Sequence, residues 1–556
     1  MAPRELAGTA CHHPVVISGA GPVGLAAAAC LARFGIRTVV LEKSTRAGEG
    51  SRAICLARRS LEILDWIGVA ERFVSKGLGW TRGHAFHGAH PIHELCMPHS
   101  DAEKFFPMTN LQQYYMEEFL AQHCARQEAI ELRWGNELVG IQPEPDGVQL
   151  RVATTAGMYQ TSCSWLLAAD GARSPARRLL QLPLCGSSFA GRYLIADIRL
   201  RSSYPTERRA WFDPPSNPGS TVLMHRQPED IWRIDYQLQE HDDDRRESEP
   251  HRVRERVQRH LDFIGEHGEW ELLWTSIYRA HSLALESYVH GHVLFAGDAA
   301  HLVPIFGVRG LNSGLADAQN VAWKLAWVLR GDAPERLLHS YSSERRNATL
   351  DIHRQAEKST RFMTPSSLGE RLMRAAVLSL ASRHEFVRPL IDPRQSVPYT
   401  YAGSELNTPE EAAAGLEAFR SGPAPGAPLH NLRIRGHSGP GYLLERLGTG
   451  FTVLLFLPGK WTGAHAECLE QLRAVTRLDS RGELRLLVLT GAPPAERDSS
   501  EYVELLQDVA GVAPQIYDAR PGTVYLARPD GHVCARWRAA TVRDVGVGLC
   551  RACTVI

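Results

Sequence analysis

The sequence predicts an α/β chain of three parts: a parallel-sheet domain, an antiparallel sheet inserted into it, and a smaller α/β domain towards the C-terminal end. Three observations carry that reading. A short apolar run, a glycine-rich turn, a helix of small residues and a second apolar run follow one another from Pro14 to Glu42. Residues 185–290 switch to alternating and aromatic-rich runs, the period of half-buried strands. After a Pro- and Gly-containing stretch at 393–440, apolar strands again alternate with a helix-like segment and end in a hairpin.

The first element justifies itself residue by residue. Pro14–Ser18 is followed by Gly19-Ala20-Gly21-Pro22-Val23-Gly24, then by a helical run ending at Gly35, then by the strand Arg37–Leu41 and the acid Glu42. This is the strand–GxGxxG–helix–strand–acid order of a dinucleotide fold. Gly19 permits the tight turn, Gly21 lets backbone approach a pyrophosphate, and Gly24 allows close helix packing. Glu42 is placed to accept from the adenosine ribose hydroxyls. The fingerprint alone leaves FAD and NAD open.

Two further strand ends repeat the theme. Trp165–Ala169 runs into Asp170-Gly171-Ala172-Arg173-Ser174 and a helix start, PARRLLQL. Val293–Ala296 runs into Gly297-Asp298, then a segment with Gly307, Gly310 and Gly314 that feeds a helix with apolar positions Leu315, Ala318, Val321, Ala322 and Leu325. Glycines admit a flat or anionic ligand, and the N–H groups of a new helix favour negative charge. Between these motifs lie Arg52, ahead of an amphipathic helix, and Gln113, near the start of the helical stretch Asn110–Cys124.

Other signals read as structure. His84, His87, His90 and His93 recur every three residues, but Gly88 and Pro91 break a helix and no acid or Cys completes a metal set. Residues 185–285 read as an antiparallel sheet with a turn at Gln227-Pro228-Glu229-Asp230, joined by 81–104. The mixed-sign run 241–260 reads as a solvated loop and the outer face of a helix. The parallel-sheet domain then comprises 1–80, 105–184 and 286–392, with a linker at 393–424 and the last domain at 425–556. In that domain Phe451–Leu457 is followed by Pro-Gly-Lys-Trp, and Thr523–Ala527 leads through Arg528-Pro529-Asp530-Gly531 into a hairpin.

Composition excludes several classes. Lys plus Arg and Asp plus Glu are 62 each in 556 residues, so no basic field points to nucleic acid or an anionic membrane. No run reaches the roughly 18 apolar residues that a membrane helix needs. Residues 1–13 lack a signal-peptide core, and the expected location is cytoplasmic. The 11 cysteines are scattered, as in a reducing compartment. Cys550-x-x-Cys553 lacks the strand–helix setting of a redox dithiol, and no polybasic run supports a prenylation box at the last four residues.

Together, Gly19–Gly24 with Glu42, Asp170–Ser174 and the Gly297–Ala326 motif resemble the FAD-dependent aromatic hydroxylases of the para-hydroxybenzoate hydroxylase family (group A flavoprotein monooxygenases). The chain is most similar to larger members of the 3-(3-hydroxyphenyl)propionate and phenol hydroxylase type, which add a C-terminal thioredoxin-like domain. The resemblance implies a Rossmann-like FAD-binding domain, an inserted substrate domain, and a thioredoxin-like domain without an active dithiol. It implies FAD contacts from Gly19, Gly21, Gly24, Glu42, Arg52, Gln113, Asp170, Asp298 and the backbone N–H groups of Leu311 and Asn312. It further implies that NAD(P)H reduces the flavin, and that a C4a-hydroperoxide formed with O2 oxygenates a phenolic ring. His225 and Tyr236, expected on adjacent strands facing one cavity, are candidates for the group that handles the phenol. Pro304-Ile305 stands where many relatives have Pro-Pro beside the substrate, and Gly307-Val308-Arg309-Gly310 also departs from the family. Baeyer–Villiger or other oxygenation of a polycyclic natural product shares the same motifs. A halogenase W-x-W-x-I-P segment is absent, and a non-catalytic flavin scaffold is the alternative of another class. The partners implied are a small aromatic substrate and O2, with no metal, nucleic acid or membrane; a homodimer is allowed.

Overall fold

The computed structural model of the chain describes residues 11–48, 52–304, 306–391, 397–410, 417–479, 481–492 and 502–554. Five parallel strands organise the first domain. His12–Ser18 is central, flanked by Thr38–Glu42 and Gly157–Ala168; Ile130–Trp134 and Val293–Phe295 extend the sheet on either side. Gly147–Thr154 and Glu137–Glu144 add antiparallel strands. Buried on both faces, the central strand has no polar alternation: Val15, Val16 and Ile17 are all at zero exposure.

The helices Pro22–Arg33 and Gly310–Leu329 pack on one another. Their small residues explain the close approach. A Cβ on Gly314 would lie 2.5 Å from Val23 Cγ2, so only glycine fits that crossing. In the sheet, Ser18 is level with Leu41 and with Ala168, and Ala168 with Phe295. Four segments therefore leave the sheet along one edge, at the carboxyl ends of their strands, where ligands of open α/β sheets bind.

The inserted sheet has eight strands, in the order His301–Leu302, Trp270–Ala284, Cys185–Leu200, Ile231–Leu238, Thr221–Gln227, Arg208–Phe212, Arg82–His87 and His90–Cys96. The turn at 227–230 is a hairpin, with Glu229 and Asp230 at φ 65° and 55°. The charge run contains the helix Pro250–Ile264, whose Val253, Val257 and Leu261 cover one sheet face through Leu194, Val222, Met224, Ile234 and Tyr236. The opposite face, with Tyr193, Ala210, Phe212 and Leu223, packs on Phe306, Met363 and Val377.

In the C-terminal domain the parallel pair Thr452–Lys460 and Arg485–Ala492 is followed by the antiparallel Thr523–Ala527 and Val533–Trp537. Numbered by sequence, these four lie in the order 2-1-3-4, with helices Gly463–Arg473 and Val542–Thr554. The stretch expected as a linker is not loose where it is described: Tyr401 and Leu406 are buried. The helix expected over PARRLLQL stops at Leu179, and Gln181 turns left-handed at φ 56°. Among the described residues no helix is long and apolar enough to cross a membrane.

Candidate cofactor and substrate site

The three glycines of the first turn serve different ends. Gly19 has φ +104°, and a Cβ there would sit 2.6 Å from the Ala169 carbonyl oxygen; at Gly24 it would sit 2.0 Å from the Gly19 carbonyl oxygen. Both are demanded by the protein itself. Gly21 differs: it caps the helix Pro22–Arg33 with φ −73° and ψ 178°, and a Cβ would meet nothing within 4 Å. That open space lies at the N–H end of a 12-residue helix, an anion-binding position. Glu42 is fixed alongside, accepting from the Ala20 N–H through Oε2 and the Ser44 N–H through Oε1, each at 2.9 Å. Each carboxylate oxygen keeps a lone pair for a ribose hydroxyl.

Two more acids stand at the same sheet edge. Asp170 Oδ2 accepts from the Ala176 N–H at 3.0 Å, while its buried Oδ1 has no partner. Burial raises its carboxyl above the ordinary aspartate value, against the hydrogen bonds from Ser174 and Ala176. Asp298 is exposed between buried Gly297 and Ala299. Desolvation by the neighbouring protein raises its carboxyl, opposed by His301, Arg52 and Arg177. Arg177, which the sequence pattern did not single out, joins the two motifs: Nη1 donates to the Ala299 carbonyl at 2.9 Å and Nη2 to that of Ala172 at 2.6 Å. Its signal was a cation seven residues after the strand-end acid, in the first turn of the helix Pro175–Leu179.

Gln113 opens the helix Gln113–Cys124 and ties down the loop that carries Arg52. Its Oε1 accepts from the Ala53 N–H at 2.9 Å, and its Nε2 donates to Glu117 Oε1 at 2.7 Å. Glu117 also accepts from the Gly48 N–H, at 2.8 Å. The exposed Arg52 acts electrostatically on both Glu117 and Asp298, so it stands over the cleft. Leu311 and Asn312 lie in the first turn of the helix Gly310–Leu329, where backbone N–H groups lack intrahelical acceptors. The Asn312 side chain braces a different segment, its Oδ1 accepting from the Ala57 N–H (2.8 Å) and Ser60 Oγ (2.6 Å). The approach to this helix is strained, with Gly307 at φ 88° and β-branched Val308 at φ 57°. Pro304 lies in this approach and is buried; Ile305 lies outside the described residues.

His225 and Tyr236 do not share a cavity. The register pairs His225 with Arg233 and Val222 with Tyr236, so the two candidates point to opposite faces of the inserted sheet. Tyr236 lies under the helix Pro250–Ile264, its ring 6.0 Å from His260. His225 belongs to a transverse row Asp197, Arg233, His225, Arg208 on the face of Tyr193 and Asp235. Arg233 meets Asp197 with two bonds of 2.7 Å and donates to the Arg52 carbonyl at 2.8 Å, linking sheet and cleft loop. Burial, then Arg208 and Arg233, lower His225 to about 3, so it is neutral at pH 7. Burial, opposed by Arg233, raises Asp235 to about 7. The atoms His225 Nδ1, Asp235 Oδ1 and Tyr193 Oη are buried without hydrogen-bond partners, a rare condition in folded proteins. Asp235 was overlooked in the sequence, although Arg233 and Asp235 two apart inside an apolar strand marked a buried polar face.

A profile described as "FAD binding domain" matches residues 12–356. The chain belongs to this FAD-binding family, and its relatives are flavin-dependent monooxygenases that hydroxylate aromatic compounds. It is 29% identical over 377 residues to the 3-(3-hydroxy-phenyl)propionate/3-hydroxycinnamic acid hydroxylase of Burkholderia cenocepacia (strain HI2424), covering 66% of this chain and 67% of that one. A second such hydroxylase, from Burkholderia vietnamiensis (strain G4 / LMG 22486), is 26% identical over 551 residues, covering 96% and 95% of the two chains. The solved flavin-dependent monooxygenase PieE, in complex with FAD and substrate, superposes with a TM-score of 0.79 at 21% identity, covering 98% of this chain and 99% of that one. At that identity the likeness speaks for the fold.

The residues present fit FAD. The space beside Gly21 admits a pyrophosphate, Glu42 offers acceptors for the ribose, and the helix at Gly310 offers N–H groups to an electron-rich ring edge.

Proposed function

We propose that the chain holds extended FAD along this sheet edge and uses NAD(P)H and dioxygen to hydroxylate a phenolic ring lodged against the His225–Asp235 face. The observation that carries the substrate placement is the set of buried, unpartnered atoms on Tyr193, His225 and Asp235. Gly21, Glu42, Arg52, Gln113 and Asp298 hold the cofactor, with the N–H groups of Leu311 and Asn312. Bound FAD, once reduced by NAD(P)H, supplies the activation of dioxygen. The remaining chemistry belongs to the chain. Asp235, with a carboxyl near 7, accepts the phenol proton, which enriches the ring in electrons. Neutral His225 offers Nδ1 to the same hydroxyl, and Tyr193 donates to an oxygen of the substrate. The closed apolar surroundings of Phe306, Phe212 and Leu223 keep water from the reacting centre.

The names of the relatives point to hydroxyphenyl acids as the substrate class. We read the C-terminal domain as thioredoxin-like on its 2-1-3-4 strand order; Pro458-Gly459-Lys460-Trp461 follows its first strand in place of a dithiol. No disulfide joins cysteines among the described residues, which suits a reducing cytoplasm. Leu368, Leu372 and Phe386 are exposed, apolar side chains of the kind that a homodimer would cover.

The test is a screen of phenols against the purified yellow protein, reading substrate-stimulated NAD(P)H oxidation and product mass. A hydroxylated ring supports the proposal. A lactone or ester product points to Baeyer–Villiger chemistry, and bound FAD with no stimulation by any phenol supports a scaffold.

A further inference from the structure

The hairpin turn Arg528–His532 of the C-terminal domain is buried against the helices behind the cofactor cleft. Arg528 is fully buried; its Nη1 and Nη2 donate to Glu344 Oε1 and Oε2 at 2.6 and 3.1 Å, and its Nε to Asp530 Oδ1 at 3.1 Å. Lys324 Nζ donates to the same Glu344 at 2.8 Å. Two cations and two carboxylates thus compensate each other away from water, the condition under which buried charge is tolerated. Burial by itself would raise the Glu344 carboxyl, yet Arg528 and Lys324 hold it far below the ordinary range.

The next residue, Arg345, faces the cleft side. Its Nε donates to Asp317 Oδ1 at 2.5 Å and its Nη1 to the Tyr401 hydroxyl at 2.9 Å; the Tyr401 ring lies 4.6 Å from that of His532. The other Asp317 oxygen accepts from the Gly297 N–H at 2.9 Å and from His301 Nε2 at 2.7 Å. One carboxylate therefore clamps both ends of the turn Gly297–His301, and Asp298 is the second residue of that turn. Asp317, Arg345, Glu344 and Arg528 are all buried. Directional bonds of this kind fix a geometry that apolar packing leaves softer.

We propose that the Arg528–His532 turn is a positioning element of the cofactor site, acting through Tyr401, Arg345 and Asp317 on the Gly297–Asp298 turn. The inference rests on the assignment of Asp298 to FAD above. The C-terminal domain is then part of the cleft's architecture and sets where the Asp298 carboxylate stands.

The test uses the full-length protein in three variants: Tyr401→Phe, Arg528→Met and Asp298→Ala. The readouts are the FAD dissociation constant by fluorescence titration, the visible spectrum and midpoint potential of the bound flavin, and the melting temperature of the apoprotein. Tyr401→Phe removes one acceptor and keeps the ring on His532. It should weaken FAD binding about 2- to 30-fold and shift spectrum and potential, with the apoprotein melt nearly unchanged. Arg528→Met should do the same or more. Weakening by Asp298→Ala with no change of affinity, spectrum or potential in Tyr401→Phe overturns the positioning role alone, and this holds even where Arg528→Met does not fold. Unchanged FAD binding in Asp298→Ala overturns the assignment beneath it.

Discussion

Gly21→Ala separates a ligand-binding turn from a structural one. The backbone at Gly21, φ −73° and ψ 178°, suits alanine, and its Cβ would touch no protein atom within 4 Å. Alanine is a poorer helix N-cap than glycine by about 0.5 kcal/mol or more. The stiffer unfolded chain returns about 0.4–1 kcal/mol. The net change in apoprotein stability is therefore within about 1 kcal/mol, a melting shift of no more than about 4 °C. The same methyl fills the space assigned to the pyrophosphate, and overpacking of that kind costs about 1–3 kcal/mol. FAD should bind about 5- to 150-fold more weakly. The assay pairs an apoprotein melt with a flavin fluorescence titration. An unchanged FAD affinity in a variant that folds normally refutes the placement of the pyrophosphate at Gly21. Gly24→Ala serves as the contrast: its Cβ would stand 2.0 Å from a backbone oxygen, so it should lower the melting temperature of the apoprotein itself.

Three further outcomes are expected. Asp298→Ala should lose FAD or hold it at least about tenfold more weakly, since a carboxylate hydrogen bond to a ligand hydroxyl contributes about 1.5–3 kcal/mol; retention of wild-type affinity in the titration counts against its role. Asp235→Asn should abolish or strongly reduce phenol-stimulated turnover. It should also alter stability with pH: the folded carboxyl, near 7, lies above its unfolded value, so wild-type stability falls as pH rises towards 7. The advantage of the variant in urea melts should then grow by about 1–3 kcal/mol between pH 5 and 8, and a constant gap contradicts the raised carboxyl. Val308→Gly should relieve the left-handed backbone at φ 57° and stabilise the fold by about 1 kcal/mol, read in the same melts; destabilisation would show that the Val308 side chain contributes more than its strain costs.

The parts of the site that repeat along the chain were legible in it. Gly19–Gly24, Glu42, Asp170 and Asp298 each follow an apolar strand, so local spacing picks them out as candidates, and the fold brings these strand ends level at one sheet edge. What joins them was hidden, because it depends on partners far apart in sequence. Arg177 reaches Ala299, Asn312 reaches Ala57, and Asp317 is an unremarked helix acid until the fold brings His301 and Arg345 onto it. The misplacement of Tyr236 has another cause. A turn read as the four residues 227–230 pairs Arg226 with Ile231 and puts His225 and Tyr236 on one face. The hairpin instead closes over 228–230, pairing Gln227 with Ile231 and Val222 with Tyr236, and this one-residue shift of register turns the two side chains to opposite faces. The buried Arg528–Glu344 contact lay beyond the sequence, since charges in a turn read as solvated until another domain covers them.

Ring oxygenation by the FAD-loaded chain is tested most directly by turnover under isotopically heavy dioxygen, with NAD(P)H and a hydroxyphenyl acid, and mass analysis of the product. The predicted result is a ring-hydroxylated product carrying one heavy oxygen atom, formed only by the FAD-loaded protein. A product oxygen drawn from water, or NAD(P)H oxidation that yields hydrogen peroxide and no oxygenated product with every phenol tried, would contradict it.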